Sequence, residues 1–163
     1  MPRFAGWLSL AGLVIVLDQL TKLWITGWLA YGEHYPVTPF FDLVLVHNPG
    51  AAFSFLSDQS GWQRWFFIGL ALVVSGWMVA LIRRHAAERL QPLAFALIVG
   101  GALGNVIDRF LYGAVVDFLY FYAGGYGFPA FNVADSAITV GVTLMLLAQF
   151  LASRAEARAA RQP

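Results

Sequence analysis

The sequence predicts an all-α membrane protein, with four transmembrane helices and a small outer-surface β-sheet between helices 1 and 2. Three observations predict this class. The chain has 163 residues, of which 60% are hydrophobic and only 12% are charged, whereas soluble domains are about a quarter charged. Four stretches are long and apolar enough to cross a bilayer. A strand-like run bounded by turn residues lies between the first two stretches.

Composition also excludes several other classes of protein. Disordered chains combine low hydrophobicity with high charge, which is the opposite of this composition. The net charge is +1, so no strong electrostatic field favours nucleic acid as a partner. The chain has no cysteine, which excludes disulfides, thiolate metal sites and a cysteine nucleophile. We therefore expect one integral-membrane domain over residues 1–163.

The four predicted spans cover about residues 4–28, 65–82, 90–109 and 135–153. They are apolar all round, whereas helices of a soluble bundle keep polar outer faces. The third span contains Gly100 and Gly104 in a G-x-x-x-G pattern. Because no strand precedes this pattern, it predicts a close helix-packing face rather than a phosphate-binding loop.

Basic residues predict the orientation of the spans. Seven of the ten are expected on one side of the membrane, namely Arg3, Arg83, Arg84, Arg89, Arg154, Arg158 and Arg161. The positive-inside rule assigns that side, with both termini, to the cytoplasm. Residues 29–64 and 110–134 then form the outer loops. Residues 1–30 also fit a cleaved signal peptide, but no small-residue cleavage site follows, so we expect the first span to be retained.

The first outer loop is the part expected to form the sheet. Residues 40–47 are rich in strand-forming side chains and end at the turn signal Asn48-Pro49-Gly50. Residues 51–56 are expected to return as a second strand. The second outer loop is rich in Tyr, Phe and Gly over residues 120–131, and we expect it to rest in the membrane interface.

Polar residues concentrate at one depth of the predicted bundle. Three spans and their flanking residues contribute Asp18, Lys22, Asn105, Asp108, Arg109, Asp117, Asn132 and Asp135. The direction of each span places all of them near the outer leaflet. Ionisable groups at such positions are costly and usually mark a functional site.

A purely structural alternative explains part of this cluster. Asp18 with Lys22, and Asp108 with Arg109, would neutralise each other and fix the helix packing. An Asx residue at the start of the fourth span would simply be an N-cap. These structural roles explain individual residues of the cluster. They explain less well why all of the residues lie at one depth.

The residue types narrow the chemistry. The sequence has no H-E-x-x-H zinc motif and no G-x-S-x-G motif. His34 and His85 are expected in solvated loops, and only His47 is near the cluster. A serine–lysine dyad would need Lys22, which already has Asp18 beside it. The aspartate carboxylates of the cluster are the remaining candidates for catalytic groups. Two close carboxyl groups share a proton, so that one acts as a base and the other as an acid. This pattern indicates aspartic peptide hydrolysis without metal or cofactor.

Five ordered motifs carry a resemblance to a known family. They are D-Q-L-T-K at residues 18–22, N-P-G-A-A-F-S at 48–54, G-G-A-L-G-N-V-I-D-R at 100–109, V-V-D-F at 115–118 and F-N-V-A-D-S at 131–136. With this set, the chain resembles the lipoprotein signal peptidases (signal peptidase II), which are bacterial inner-membrane aspartic peptidases. The motifs extend over nearly the whole chain.

The resemblance implies the substrate and the site. The substrate would be a prolipoprotein that carries diacylglycerol on its lipobox cysteine, cut just before that cysteine. The catalytic aspartates would be Asp117 and Asp135. The supporting residues would be Asp18, Lys22, Asn48, Gly50, Asn105, Asp108, Arg109 and Asn132. Membrane lipids are further expected partners, and we expect a monomer.

Two other functions are compatible with a polar cluster in a membrane. A proton or ion transporter would use the aspartates as a relay, but it should carry charged groups across the whole membrane. The inner halves of the four spans lack them. A noncatalytic scaffold would tolerate Asn in place of Asp117 or Asp135.

Overall fold

Four long helices dominate the computed structural model, which describes residues 2–50 and 61–159. They are α1 (Pro2–Trp28), α2 (Trp62–Arg84), α3 (Leu90–Tyr112) and α4 (Val133–Ala159). Each contains a stretch apolar and long enough to span a membrane, which confirms the four predicted spans. Every helix extends beyond its predicted limits, because charged residues such as Arg83 and Arg84 end the apolar run without ending the helix.

Helix α3 lies at the centre of the bundle. It packs against α1, α2 and α4, and 61% of its apolar window is buried, against 17 to 28% in the other three helices. The outward faces of those three are left apolar and exposed, as expected for helices that contact lipid tails. Residues on α3 therefore meet side chains from every other helix.

Small residues on α3 allow these close contacts, as the sequence predicts. A Cβ atom added at Gly100 would lie 2.6 Å from Cβ of Val14 on α1. One added at Gly104 would lie 2.6 Å from Oδ2 of Asp18. Larger side chains would push the helices apart, so the glycines bring the α1 carboxylate against α3.

An antiparallel sheet covers one end of the bundle. Its strands, in spatial order, are β1 (His34–Thr38), β2 (Phe41–Asn48), β3 (Val115–Ala123) and β4 (Tyr126–Gly127). The predicted sheet between helices 1 and 2 is confirmed. The second outer loop adds β3 and β4 to it, and these two strands are not predicted by the sequence. The expected return strand over residues 51–56 lies outside the described residues.

Strand β3 is fixed between the sheet and the bundle. Its side chains Val116 and Phe118 pack with Ile25 and Leu29 from the end of α1 and with Leu45 from β2. Asp117 lies between the two β3 side chains and pairs in register with Val46. Packing on both sides therefore holds Asp117 in one position.

His34 differs from its expected place in a loop. It lies in β1, and its Nδ1 is 3.1 Å from Oδ2 of Asp42 in β2. Tyr122 of β3 donates a hydrogen bond to the other oxygen of Asp42 at 2.9 Å. These contacts link three strands of the sheet.

Candidate active site

The fold brings the predicted polar residues together where the sheet meets the helices. Seven of them are buried, namely Asp18, Lys22, Asn105, Asp108, Arg109, Asp117 and Asn132. Asn48, Gly50 and Asp135 belong to the same hydrogen-bonded assembly. Its members come from α1, β2, α3, β3 and α4, so no single element forms the site.

Lys22 is the centre of an ionic network between α1 and α3. Its Nζ lies 2.7 Å from Oδ2 of Asp18 and 2.7 Å from Oδ2 of Asp108. It also donates to Oδ1 of Asn105 at 3.0 Å. Asp108 therefore pairs with Lys22, and not with Arg109 as the structural alternative supposed. One buried cation lies between two buried carboxylates. Such a network is stable only with all three groups present, because removal of one leaves a buried charge without its partner.

The same network fixes the elements that carry the two candidate catalytic residues. Asp108 accepts a hydrogen bond from the backbone N–H of Val116 at 3.1 Å, next to Asp117 in β3. Asp18 accepts one from the backbone N–H of Ala134 at 2.9 Å, next to Asp135 in α4. Each network carboxylate thus holds the residue that precedes one of the aspartates.

Gln19 is a further member of this network, which the sequence does not predict although Gln19 belongs to the D-Q-L-T-K motif. Its Nε2 donates to Oδ1 of Asp108 at 2.9 Å and to the carbonyl oxygen of Gly104 at 3.2 Å. It also lies 3.2 Å from Oδ2 of Asp18. Its place beside Asp18 in the motif is the sequence feature that could have indicated this role. A side-chain amide has two N–H groups, so it can donate to both network carboxylates at once.

Asp117 is buried and is held by two asparagines. Asn132 donates to its Oδ1 at 2.7 Å, and Asn48 donates to its Oδ2 at 3.3 Å. Burial, and then the negative charge of Asp135, raise the pKa of Asp117 from 3.8 to about 7, while the two amide hydrogen bonds oppose this. A carboxyl group with this pKa exchanges its proton near neutral pH.

Asp135 lies in the first turn of α4, two residues after the helix begins. Asn105 donates to its Oδ1 at 2.7 Å. The backbone N–H of Asp135 donates to Oδ1 of Asn132 at 2.9 Å, so Asn132 is the N-cap of α4. Asn132 therefore caps α4, as the purely structural interpretation predicts, and it also contacts Asp117. A structural role and a role in the site are thus compatible for this residue.

Arg109 holds the turn that follows β2. Its Nη2 donates to the carbonyl oxygen of Gly50 at 2.8 Å, and its guanidinium lies 5.1 Å from the ring centre of Phe67. The backbone N–H of Gly50 in turn donates to Oδ1 of Asn48 at 3.0 Å. These bonds keep the Asn48 amide directed at Asp117.

A cavity of about 730 Å³ opens over the two aspartates. One part of its lining is polar and contains Asn48, Asn105, Arg109, Asp117 and Asp135. The other part is apolar and contains Phe128, Phe131, Ile138 and Val140. Two carboxyl groups therefore face one space that has room for a peptide segment and an adjoining apolar group.

His47 also lines this cavity. Its ring stacks on Tyr31, with 5.4 Å between the ring centres. His85, the other histidine expected in a loop, follows α2 directly and lies 2.7 Å from Oε1 of Glu88. The described contacts of the histidines thus include no hydrogen bond to either aspartate.

Comparison with known proteins places the chain in a family. The family model described as signal peptidase (SPase) II matches residues 10–151. A lipoprotein signal peptidase of Azoarcus sp. is 65% identical over 94% of this chain and 89% of its own. The lipoprotein signal peptidase of Cupriavidus taiwanensis is 58% identical over 86% of this chain and 80% of its own.

Solved structures agree with this assignment. A bacterial membrane enzyme superposes with a TM-score of 0.82 and 34% identity, over 91% of this chain and 90% of the other. A second bacterial membrane enzyme superposes with a TM-score of 0.77 and 35% identity, over 89% of this chain and 92% of the other. The chain therefore belongs to the signal peptidase II family, and it is an aspartic-type peptidase of lipoprotein processing.

Proposed function

We propose that Asp117 and Asp135 form the catalytic pair that cleaves the signal peptide from a prolipoprotein. One observation carries the proposal: both carboxyl groups line the same cavity, and an asparagine amide holds each of them. The raised pKa of Asp117 supports it, because a shared proton requires one carboxyl group that remains protonated near neutral pH.

The chemistry follows from one proton shared by two carboxyl groups. The ionised aspartate removes a proton from a water molecule, whose oxygen attacks the scissile carbonyl carbon. The protonated aspartate gives its proton to the carbonyl oxygen. When the tetrahedral intermediate collapses, the C–N bond breaks, and the aspartate that took the water proton gives it to the amine nitrogen. The other aspartate takes a proton from a hydroxyl group of the intermediate as the C=O bond forms again, so the pair again holds one proton.

Supporting residues have separate tasks in this proposal. Asn48, Asn105 and Asn132 orient the carboxyl groups through their amides. Lys22, Asp18 and Asp108 fix the backbone beside each aspartate. Arg109 and Gly50 hold the Asn48 turn at the edge of the cavity. Each is a positioning residue, as precise catalytic geometry requires.

The pH dependence of cleavage is a direct test of the shared proton. The rate should rise and fall with pH, because only the singly protonated pair is active. Since the pKa of Asp117 is about 7, we expect the rate to fall as the pH rises through about 7 and the shared proton is lost. It should also fall in acid, where both carboxyl groups are protonated. Measurement of kcat across this range checks it, and a flat profile would exclude a titrating pair.

The substrate proposed here carries diacylglycerol on its lipobox cysteine, and the cut falls just before that cysteine. The apolar side of the cavity supports this, because Phe128, Phe131, Ile138 and Val140 can contact an acyl chain or the apolar signal helix. The polar side contacts the scissile bond. We propose that the enzyme acts as a monomer and needs no metal or cofactor.

A lipid requirement follows from this division of the cavity. Purified protein should cut a diacylglyceryl lipobox peptide much faster than the same peptide with an unmodified cysteine. The acyl chains supply anchoring that holds the bond at the aspartate pair, which raises kcat/KM. The measurement is product formation by mass spectrometry, with both peptides in the same detergent. Equal rates for the two peptides would contradict the lipid-anchoring proposal.

The proposed location is the bacterial inner membrane, with both termini in the cytoplasm and the aspartates near the outer leaflet. The arginine-rich helix ends support it, since Arg3 of α1 donates to the carbonyl oxygen of Ala87 in the α2–α3 connection. A reporter enzyme that is active only outside the cytoplasm should be inactive after Pro163. The same reporter inserted after Gly32, beside β1, should be active. The reverse pattern would overturn the orientation.

A further inference from the structure

A second cavity lies at the other end of the bundle, and the proposed cleavage does not use it. Its volume is about 810 Å³. It is formed where α1 and α3 begin, 15 residues before Asp18 and Asn105 along those helices, which is roughly 22 Å at 1.5 Å per residue. Its lining includes Arg3, Trp7, Leu10, Glu88, Arg89 and Leu93.

Specific hydrogen bonds build one wall of this cavity. Arg3 donates through Nη1 to the carbonyl oxygen of Ala87 at 3.1 Å. Trp7 donates through its indole Nε1 to the carbonyl oxygen of Ala86 at 3.3 Å. Both bonds join the first turns of α1 to the α2–α3 connection, so the cavity is a fixed part of the fold rather than a gap between independent helices.

The charges at the cavity favour an anion. Arg3 and Arg89 are both exposed, and the side chain of Arg89 makes no hydrogen bond to the residues that the structure describes. Arg3 uses one of the five N–H groups of its guanidinium in the hydrogen bond to Ala87, so the other four can donate to a ligand. Glu88 opposes an anion, but its Oε1 lies 2.7 Å from Nδ1 of His85 in the same connection.

The remaining lining favours a lipid over a soluble anion. Leu10, Leu93 and the ring of Trp7 form an apolar surface directly beside the two arginines. The cavity lies at the end of two membrane-spanning helices, where lipid headgroups meet the protein. Cations beside an apolar groove at this depth match a phosphate group with acyl chains attached to it.

We propose that this cavity binds an anionic phospholipid, with its phosphate on Arg3 and Arg89 and its acyl chains along Leu10 and Leu93. Guanidinium groups form charge-assisted hydrogen bonds with phosphate oxygens. A basic residue near an anionic lipid surface contributes about 1 kcal/mol, which is about fivefold in affinity for each arginine. The site is separate from the aspartate pair, so the proposal does not depend on the proposed function.

The test compares lipid retention by native mass spectrometry of the full chain in detergent, with phosphatidylglycerol and phosphatidylcholine as probes. Wild-type protein should retain phosphatidylglycerol preferentially. Arg89→Gln should weaken retention about fivefold, and Arg3→Gln with Arg89→Gln should weaken it about 25-fold. The control variant changes Arg154 and Arg158 to Gln, which removes two exposed cations of α4 that do not line this cavity.

Each outcome decides the proposal. Loss of retention in the Arg3/Arg89 variants but not in the Arg154/Arg158 variant supports it, and Glu88→Gln should then tighten binding. Equal loss in both double variants would mean general surface charge and would overturn it. No preference for phosphatidylglycerol would also overturn it. Displacement by inorganic phosphate as effective as that by lipid would identify a simple anion site instead. Because Arg89 makes no described side-chain hydrogen bond, its single variant tests the proposal without loss of a structural contact.

Discussion

Asn in place of either Asp117 or Asp135 should reduce kcat for cleavage by about 10⁴-fold, the upper range for loss of a general acid or base. Asn retains the size of the side chain, and its single amide oxygen can still accept one hydrogen bond, from Asn132 or Asn48 at position 117 and from Asn105 at position 135. The change removes the exchangeable proton and, at position 117, one of the two acceptor oxygens. The double variant should be little worse than either single one, because residues that act as one unit are not additive.

Matched measurements separate lost chemistry from lost structure. Asp42→Asn is the control, because Asp42 is another buried aspartate of the same sheet but binds His34 and Tyr122 rather than facing the cavity. It should leave kcat nearly unchanged. The Asp117 and Asp135 variants should bind the lipidated peptide with a Kd close to that of the wild type. Near-normal turnover by folded Asp117→Asn or Asp135→Asn protein would rule out the aspartic pair.

The four helices were predictable because the membrane imposes a length and an apolar composition that are visible in sequence. It was also predictable that Asp18, Lys22 and Asp108 lie at one level of the bundle, since position along a span gives the level. The contact between Asp18 and Lys22 on one face of α1 was predicted as well. The contacts between different helices were not, because they depend on rotation about the helix axes. The link from Lys22 to Asp108 therefore appears only in the structure.

The strands of the second outer loop were missed for a different reason. Val115 to Phe118 are all buried, because this half of β3 is covered by the bundle as well as by the sheet. A strand buried on both faces lacks the alternation of apolar and polar residues that marks a half-exposed strand. The family motifs predict Asp117 as a site residue without showing that it lies in a strand.

Lys22→Met should produce the largest loss of stability of any single change in the network, about 3–5 kcal/mol in the free energy of unfolding. Methionine retains the approximate length of the side chain, so the packing changes little. The cation disappears, however, and the buried carboxylates of Asp18 and Asp108 lose the ammonium group 2.7 Å from each. Two uncompensated buried negative charges then repel each other across the α1–α3 contact. The measurement is denaturant unfolding in detergent micelles, with Arg154→Met as an exposed-cation control expected to change stability by less than about 0.5 kcal/mol.

A triple variant distinguishes charge from packing as the cause of that loss. Lys22→Met combined with Asp18→Asn and Asp108→Asn removes every charge of the network but keeps an oxygen that can accept from the N–H groups of Ala134 and Val116. Neutral replacement of a buried ion network is often tolerated, whereas removal of one partner is not. The triple variant should therefore regain most of the stability that Lys22→Met loses. If it is no more stable than the single variant, the ammonium group is needed for its packing and hydrogen bonds, and the charge argument is wrong. Because the backbone bonds beside Asp117 and Asp135 survive in the triple variant, its cleavage rate should recover together with its stability.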